Sequence, residues 1–152
     1  MEIRRLGQGS PPQEIKTALR LALRVFLGYD APLFVPEGKE QFRAYIYSGT
    51  IEEAIDNGTA CIYAAYEGDM IGIIGINGEG HIILAFVDGD HQHMGVGSAL
   101  MEALMRDFAG YRLTVNAAPP GYGFYRRHGF VPTSPDVTTD GLTYTPMARE
   151  QS

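Results

Sequence analysis

Apolar side chains in the first third of the chain recur with the period of an α-helix. The apolar face of residues 11–28 consists of Ile15, Leu19, Ala22, Val25 and Phe26. Gly28 then provides a stop signal. The apolar side of residues 37–49 consists of Phe42, Tyr45 and Ile46. The sequence therefore predicts two amphipathic helices before residue 50.

Two shorter signals flank these helices. Residues 2–6 are compatible with an opening strand. Thr50 is followed three residues later by Glu53, a capping-box signature that predicts a short helix ending near Gly58.

Residues 59–90 contain three apolar runs separated by turn residues, as in an antiparallel meander. The separators are Glu67, Gly68 and Asp69 in the first case and residues 77–80 in the second. The third run, His81–Val87, is almost entirely apolar, which predicts a strand covered on both faces.

The last third alternates between helix and strand patterns. Residues 97–110 have a helical face ending at Gly110, residues 111–117 resemble a strand, and residues 121–130 predict a short helix broken at Gly129. Residues 130–135 and 142–150 predict a closing strand pair with a turn at Asp140 and Gly141. This order of elements indicates an α/β (α+β) fold on a mixed sheet.

Length and charge narrow the class of protein. The 152 residues suit one domain spanning residues 1–152. The net charge of −6 argues against nonspecific nucleic-acid binding and mildly favours a cationic substrate. A single cysteine, Cys61, excludes a disulfide within the chain and is expected in the core. No signal peptide or membrane span is evident, so we expect a cytoplasmic protein.

The segment HQHMGVGSAL, residues 91–100, places two glycines at the start of a predicted helix. The first N–H groups of a helix lack intrahelical partners, and the helix dipole places partial positive charge there. Gly95 and Gly97 would let a phosphate approach the N–H groups of residues 93–98. No Gly-Lys-Ser/Thr follows, and the three-glycine dinucleotide spacing is absent, so neither of those phosphate motifs is present.

This segment resembles the Gln/Arg-x-x-Gly-x-Gly/Ala motif of the GNAT superfamily of N-acetyltransferases. The resemblance extends to HIILAFV before the motif and to LTVNA and FYRRHGF after it, and it is clearest over residues 63–130. It implies a mostly antiparallel central sheet flanked by helices, with a V-shaped splay between the fourth and fifth strands. It also implies acetyl-coenzyme A as the co-substrate and acetyl donor, and the primary amine of a small molecule or peptide as the acceptor.

The resemblance assigns the cofactor-binding positions. The pyrophosphate would lie on the motif, whose residues are Gln92, His93, Met94, Gly95, Val96, Gly97 and Ser98. The main chain of Phe86 and Val87 would pair with the pantetheine arm, in the manner of an added strand. Asn116 would contact that arm or the reaction site, although a turn residue is the alternative.

Tyr125 occupies the position of the tyrosine that, in many members of the family, protonates the departing thiolate. Packing of its ring against the sheet is the alternative. Glu79 and His81 are candidates for the general base, beside a water-mediated route. Asp88, Asp90, His91 and His93 cluster near the loop, but we expect no metal there.

The proline-rich connection between the two N-terminal helices is a candidate wall for the acceptor site. Its polar and aromatic residues include Tyr29, Asp30, Phe34 and Glu37, and its acids would attract a cationic amine. The rival function is a non-catalytic sensor or scaffold that binds acyl-coenzyme A, and a longer acyl donor is a further alternative. The sequence leaves open whether two copies form a homodimer, as many members of the family do.

Overall fold

The computed structural model describes residues 1–28, 36–92, 94–139 and 141–150. The strands are β1 (Glu2–Leu6), β2 (Ala60–Glu67), β3 (Asp69–Asn77), β4 (His81–Val87), β5 (Leu113–Ala117), β6 (Val131–Pro132), β7 (Val137–Thr139) and β8 (Leu142–Arg149). The helices are α1 (Pro12–Leu27), α2 (Pro36–Tyr47), α3 (Thr50–Asp56), α4 (Val96–Asp107) and α5 (Tyr122–Arg127). None of these described helices combines the length and the apolar character that crossing a membrane requires.

The described strands form one mixed sheet in the order β1-β2-β3-β4-β5-β8-β6, with β7 paired to β8. All pairs are antiparallel except β4 with β5. The predicted meander is confirmed as β2, β3 and β4. The mixed, mostly antiparallel sheet flanked by helices is confirmed as well.

Two apolar cores lie on opposite faces of the sheet. Helix α4 covers one face, where Leu100, Met101 and Leu104 are almost completely buried. Helices α1 and α3 cover the other, where Leu21 and Ile55 are buried. Each helix therefore buries its apolar side against a different face of the same sheet.

Strands β4 and β5 separate beyond their first residues. In the described structure their pairing is limited to His81 with Thr114 and Ile82 with Val115. On the other side of β4, the register with β3 shifts between Gly75 and Ile76, which leaves Ile83 as an extra residue. Such a bulge bends the strand that carries it. The gap beyond residue 82 is the V-shaped splay between the fourth and fifth strands.

The apolar run of β4 was expected to be covered on both faces, and that expectation is wrong. Within β4 only Ile82 and Leu84 are buried, and the remaining residues are partly exposed. Strand β3, by contrast, is buried from Met70 to Ile76. The apolar residues at the end of β4 instead line a cleft that opens where β5 departs.

The predicted capping box at Thr50 is also wrong. Thr50 is the first residue of α3, and the cap position belongs to Gly49, which has a φ of 83° and no side chain to accept a bond. The N–H of Glu53 donates to the carbonyl of Gly49 instead, at 2.9 Å. The Oγ atom of Ser48 accepts from the N–H of Thr50.

The closing strands differ in part from the prediction. Residues 131–132 pair with β8 as expected, but the strand that forms the hairpin with β8 is β7, which the sequence analysis did not identify. Thr139 pairs with Leu142, and Gly141, one of the two predicted turn residues, has a φ of 78°. Asp140 itself lies outside the described residues.

Candidate active site

A cleft of about 550 Å³ passes through the gap between β4 and β5. Residues of α4 and α5 line it on one side of the sheet, and residues of α1 and α2 line it on the other. The first three residues of β8, which precede its pairing with β5, also line the cleft. Groups bound on the two faces of the sheet could therefore meet within one cleft.

The N-terminus of α4 faces this cleft and is suited to binding an anion. Gly95 caps the helix with a φ of 79°, a left-handed conformation that glycine adopts without strain. No side chain caps the helix, and its first turn contains no acidic residue. The N–H groups of residues 96–98 therefore remain for an external acceptor, and the helix dipole favours a negative one.

The second glycine of the motif permits close helix packing. A Cβ atom built on Gly97 would lie 2.9 Å from Cε1 of Phe124, closer than real side chains approach. Gly97 thus makes room for the ring of Phe124 on α5. The predicted reason, the approach of a phosphate, is thus not needed to explain the missing side chain.

Gly72 on β3 has a similar role, which sequence reasoning missed. A Cβ atom there would lie 2.9 Å from Cγ1 of Val96 and 3.3 Å from Cδ1 of Leu100. Because Gly72 has no Cβ atom, the N-terminal turn of α4 can pack directly on the sheet. An isolated glycine within an apolar strand is a signal of close approach and could have identified this position.

The main-chain N–H and carbonyl groups at the end of β4 point alternately toward β3 and toward the gap. The N–H of Asp88 donates to the carbonyl of Ile71 at 2.8 Å, on the β3 side. Because alternate residues of an antiparallel strand point their main-chain groups to opposite edges, those of Ala85 and Val87 face the gap. The Gln92 side-chain amide donates to the Val87 carbonyl at 3.2 Å, which holds the motif against this strand end.

Phe86 lies in the cleft lining, but its side chain packs on the α1 face of the sheet. Its ring centroid lies 5.6 Å from that of Phe42 and 6.4 Å from that of Phe26. Its main-chain groups point toward β3, where Phe86 lies opposite Ile73, so they do not face the gap as the predicted pairing with a pantetheine arm requires.

Tyr125 lies in the cleft lining and is only 5% exposed. Its ring makes edge contacts with Phe124 and Phe130, at centroid distances of 5.3 Å and 5.5 Å. The packing alternative and the proton-donor prediction are thus compatible, because the ring is held by its neighbours while the residue borders the cleft.

Ser98 and Asn116 also line the cleft. The Oγ atom of Ser98 forms a 3.1 Å hydrogen bond with Nε2 of His128. Burial, together with the charge of Arg127, lowers the pKa of His128. Asn116 is an exposed residue within β5, so the alternative of a turn residue is wrong.

The candidate bases lie away from the cleft lining. His81 pairs with Thr114 at the closed end of the gap, with Nδ1 2.7 Å from the threonine Oγ1. Burial lowers the pKa of His81, so the neutral imidazole is favoured. Glu79 is exposed in the preceding turn, where its N–H donates to the Asn77 side chain.

Several predicted positions are not brought into the cleft. Met94 is 66% exposed and does not line it. Glu37 is exposed on α2 and does not line it either. His93 lies outside the described residues, as do Tyr29, Asp30 and Phe34.

The carboxylate of Asp88, one of the acids near the motif, has structural partners. Asp88 accepts from the N–H of Asp90 at 3.2 Å and pairs with Arg24 of α1 at 3.5 Å. Within the described part of the chain, no group of three or more potential ligands could hold a metal ion.

The splayed parallel strands and the uncapped helix N-terminus beside the gap agree with the fold that the family resemblance implies. The family model of the acetyltransferase (GNAT) domain matches residues 30–151, and the chain belongs to this family. It is therefore an acyltransferase-family protein. A search of curated protein sequences finds no match.

Solved structures share this fold at low sequence identity. A GCN5-related N-acetyltransferase from Rhodopseudomonas palustris has a TM-score of 0.73 and 19% identity, with 98% of this chain and 94% of that chain covered. An acyl-CoA N-acyltransferase from Pseudomonas aeruginosa has a TM-score of 0.70 and 17% identity, covering 98% and 99%. The PaiA N-acetyltransferase from Thermoplasma acidophilum, solved with coenzyme A, has a TM-score of 0.67 and 17% identity, covering 99% of each chain.

Proposed function

We propose that the protein transfers the acetyl group of acetyl-coenzyme A to a primary amine, by direct attack within a ternary complex in the cytoplasm. The observation that carries this proposal is the continuity of the cleft. It joins the N-terminus of α4 to the far face of the sheet through the gap between β4 and β5. A donor on one side and an acceptor on the other can therefore be bound at the same time.

The donor's diphosphate is assigned to the N–H groups that follow Gly95. The uncapped first turn of α4 and its freedom from acidic residues suit an anion with two negative charges. The gap-facing main chain of Val87 and Ala85 suits an extended arm that pairs with a strand edge. When bound, acetyl-coenzyme A supplies an activated thioester.

The residues around the gap suit the chemistry of acyl transfer. The gap-facing N–H of Val87 would polarise the carbonyl oxygen of the thioester. As the new C–N bond forms and the C–S bond breaks, Tyr125 would give its proton to the leaving sulfur. The attacking amine would release its proton to solvent or to a base, and Tyr125 would regain a proton from solvent, which restores its hydroxyl for the next turnover.

We assign the removal of the amine proton to a water-mediated route, with His81 as its preferred end point. The lowered pKa of His81 keeps the ring neutral near neutral pH, so the ring would take the proton only in passing and release it to solvent. Glu79 is the weaker candidate because it is exposed on the turn before β4.

Thiol release in the presence of amines tests the proposal. Free coenzyme A should appear only when acetyl-coenzyme A and an amine are both present, in proportion to the acetylated amine found by mass spectrometry. Tight calorimetric binding of coenzyme A without turnover on a broad amine panel would instead favour the non-catalytic sensor. Faster turnover with a longer acyl donor would revise the donor.

A further inference from the structure

The end of the cleft that lies on the α1 face is walled by aromatic rings. This aromatic wall consists of Phe26, Phe42, Tyr45 and Phe86. The rings of Phe26 and Phe42 are stacked with centroids 4.2 Å apart, and Phe42 lies 6.5 Å from Tyr45. Neighbouring rings thus hold one another in position before any acceptor arrives.

The β7–β8 hairpin also lines this end of the cleft. Leu142, Thr143 and Tyr144 line the cleft there. The hairpin and α2 are in close contact, because a Cβ atom on Gly38 would collide with the carbonyl of Gly141. The aromatic wall and the hairpin therefore close around the same space.

Charge is scarce in this space. Among the described residues lining the cleft, none is a carboxylate, and the basic ones are His91 and Arg127. His91 belongs to the turn after β4, and Arg127 belongs to α5, so neither is part of the aromatic wall. A second ammonium group bound against the wall would lose its hydration and meet no carboxylate among the described lining residues.

We infer that the acceptor is an apolar monoamine, preferably one with an aromatic ring, and not a polyamine or an aminoglycoside. This inference rests on the proposed acetyl transfer and names its substrate class. The ring would contact the aromatic wall, while the single amine would reach toward the gap. It departs from the sequence-based expectation that acidic groups attract a cationic amine, although Asp30 lies outside the described residues.

The test compares three amines under saturating acetyl-coenzyme A: phenethylamine, n-butylamine and putrescine. The last two differ only by a second amine, so their comparison isolates the cost of an extra charge. We expect kcat/KM for phenethylamine to exceed that for putrescine by about tenfold or more, with n-butylamine in between. Calorimetric titration of each amine into the protein saturated with coenzyme A should give the same order of affinity.

Substitutions in α2 test whether the aromatic wall causes this order of kcat/KM among the three amines. Phe42→Ala should lower kcat/KM for phenethylamine by about tenfold, and Phe42→Leu should retain most of it. Tyr45→Glu should raise the value for putrescine relative to phenethylamine. Tyr47→Ala is the matched control, because Tyr47 lies on the same helix, is 69% exposed and does not line the cleft. Unchanged coenzyme A affinity in each variant shows that the fold is intact.

Different results would contradict the acceptor class and the proposed acetyl transfer. Acetylation of putrescine as fast as phenethylamine, with the ratio unaffected by Phe42→Leu and Tyr45→Glu, would overturn the assigned acceptor class and leave acetyl transfer in place. Coenzyme A binding with no acetylation of any amine would overturn the proposed function, and the acceptor class with it.

Discussion

Gly97 and Phe124 are packed so closely that the glycine could not carry a side chain without movement. A Cβ atom on Gly97 would lie 2.9 Å from Cε1 and 3.4 Å from Cζ of Phe124. This contact joins the first turn of α4 to α5, the helix that carries Tyr125. The part of the molecule suited to an anion and the part suited to proton donation are thus fixed to each other.

Gly97→Ala should destabilise the protein by about 1 kcal/mol. Overpacking costs about 1–3 kcal/mol, and it outweighs the roughly 1 kcal/mol that alanine gains over glycine within a helix. Denaturant unfolding measures the change. Gly123→Ala on α5 is the control, because its Cβ would meet only the flexible end of Arg127, and it should be neutral or stabilising. Adding Phe124→Leu to Gly97→Ala should restore part of the loss, and no recovery would argue against this contact as the cause.

Gly95→Asp should weaken coenzyme A binding by at least about tenfold more than Gly95→Asn does. Both side chains have nearly the same shape, and both residues tolerate the left-handed conformation better than most. Their difference therefore reports the negative charge placed beside the diphosphate. Calorimetry at fixed ionic strength measures both affinities. Equal values for the two variants would remove the diphosphate from this helix end.

Tyr125→Phe should reduce kcat by about tenfold or more, because the leaving sulfur loses its proton donor. The ring contacts with Phe124 and Phe130 do not use the hydroxyl, so the affinity for coenzyme A should change little. Steady-state rates and calorimetry on the same preparation separate the two effects. Wild-type turnover in this variant would exclude the proton-donor role.

His81 should make the folded state sensitive to mild acid. Its pKa in the fold is lowered from 6.5 by burial, so the unfolded chain binds a proton more readily than the native one. The stability that the neutral ring contributes is present above about pH 6.5 and is lost as the pH falls toward the lower folded pKa. We expect a shallower fall in unfolding free energy between about pH 7 and pH 5 in His81→Asn.

Denaturant unfolding between about pH 7 and pH 5 gives the slope of the unfolding free energy against pH. The slope is compared and not the absolute stability, since the substitution also removes the hydrogen bond to Thr114. His128 contributes in the same direction, because its pKa is lowered as well. An identical slope in wild type and His81→Asn would show that His81 does not couple folding to protonation.

The elements and their order could be predicted because their signals are local. The helical spacing of Ile15, Leu19 and Phe26 and the turn residues at positions 67–69 depend only on neighbours in the chain. The capping box failed for a related reason. Thr50 and Glu53 had the right spacing, but Gly49 with its left-handed conformation took the cap position. Spacing alone does not reveal which backbone conformation precedes a helix.

Candidate site positions could be predicted where they lie in a motif that resembles a family. Gly95, Val87 and Tyr125 were predicted in this way, and all three line the cleft. Gly72 and the aromatic wall were missed because their partners are distant in sequence: Gly72 packs on Val96, and Phe42 packs on Phe86. Periodicity identified Phe42 as an apolar residue but could not distinguish a core position from a cleft wall.

By itself, the sequence determined the order of the helices and of every described strand except β7, the position of the glycine motif before α4 and the family resemblance, since short-range spacing fixes each of them. Only the tertiary structure decided that the apolar end of β4 lines a cleft, that Gly97 makes room for Phe124, and that rings from α1, α2 and β4 meet in one wall. These depend on the distance between segments far apart in the chain. That distance is set by the packing of two helical layers on a sheet whose fourth and fifth strands diverge.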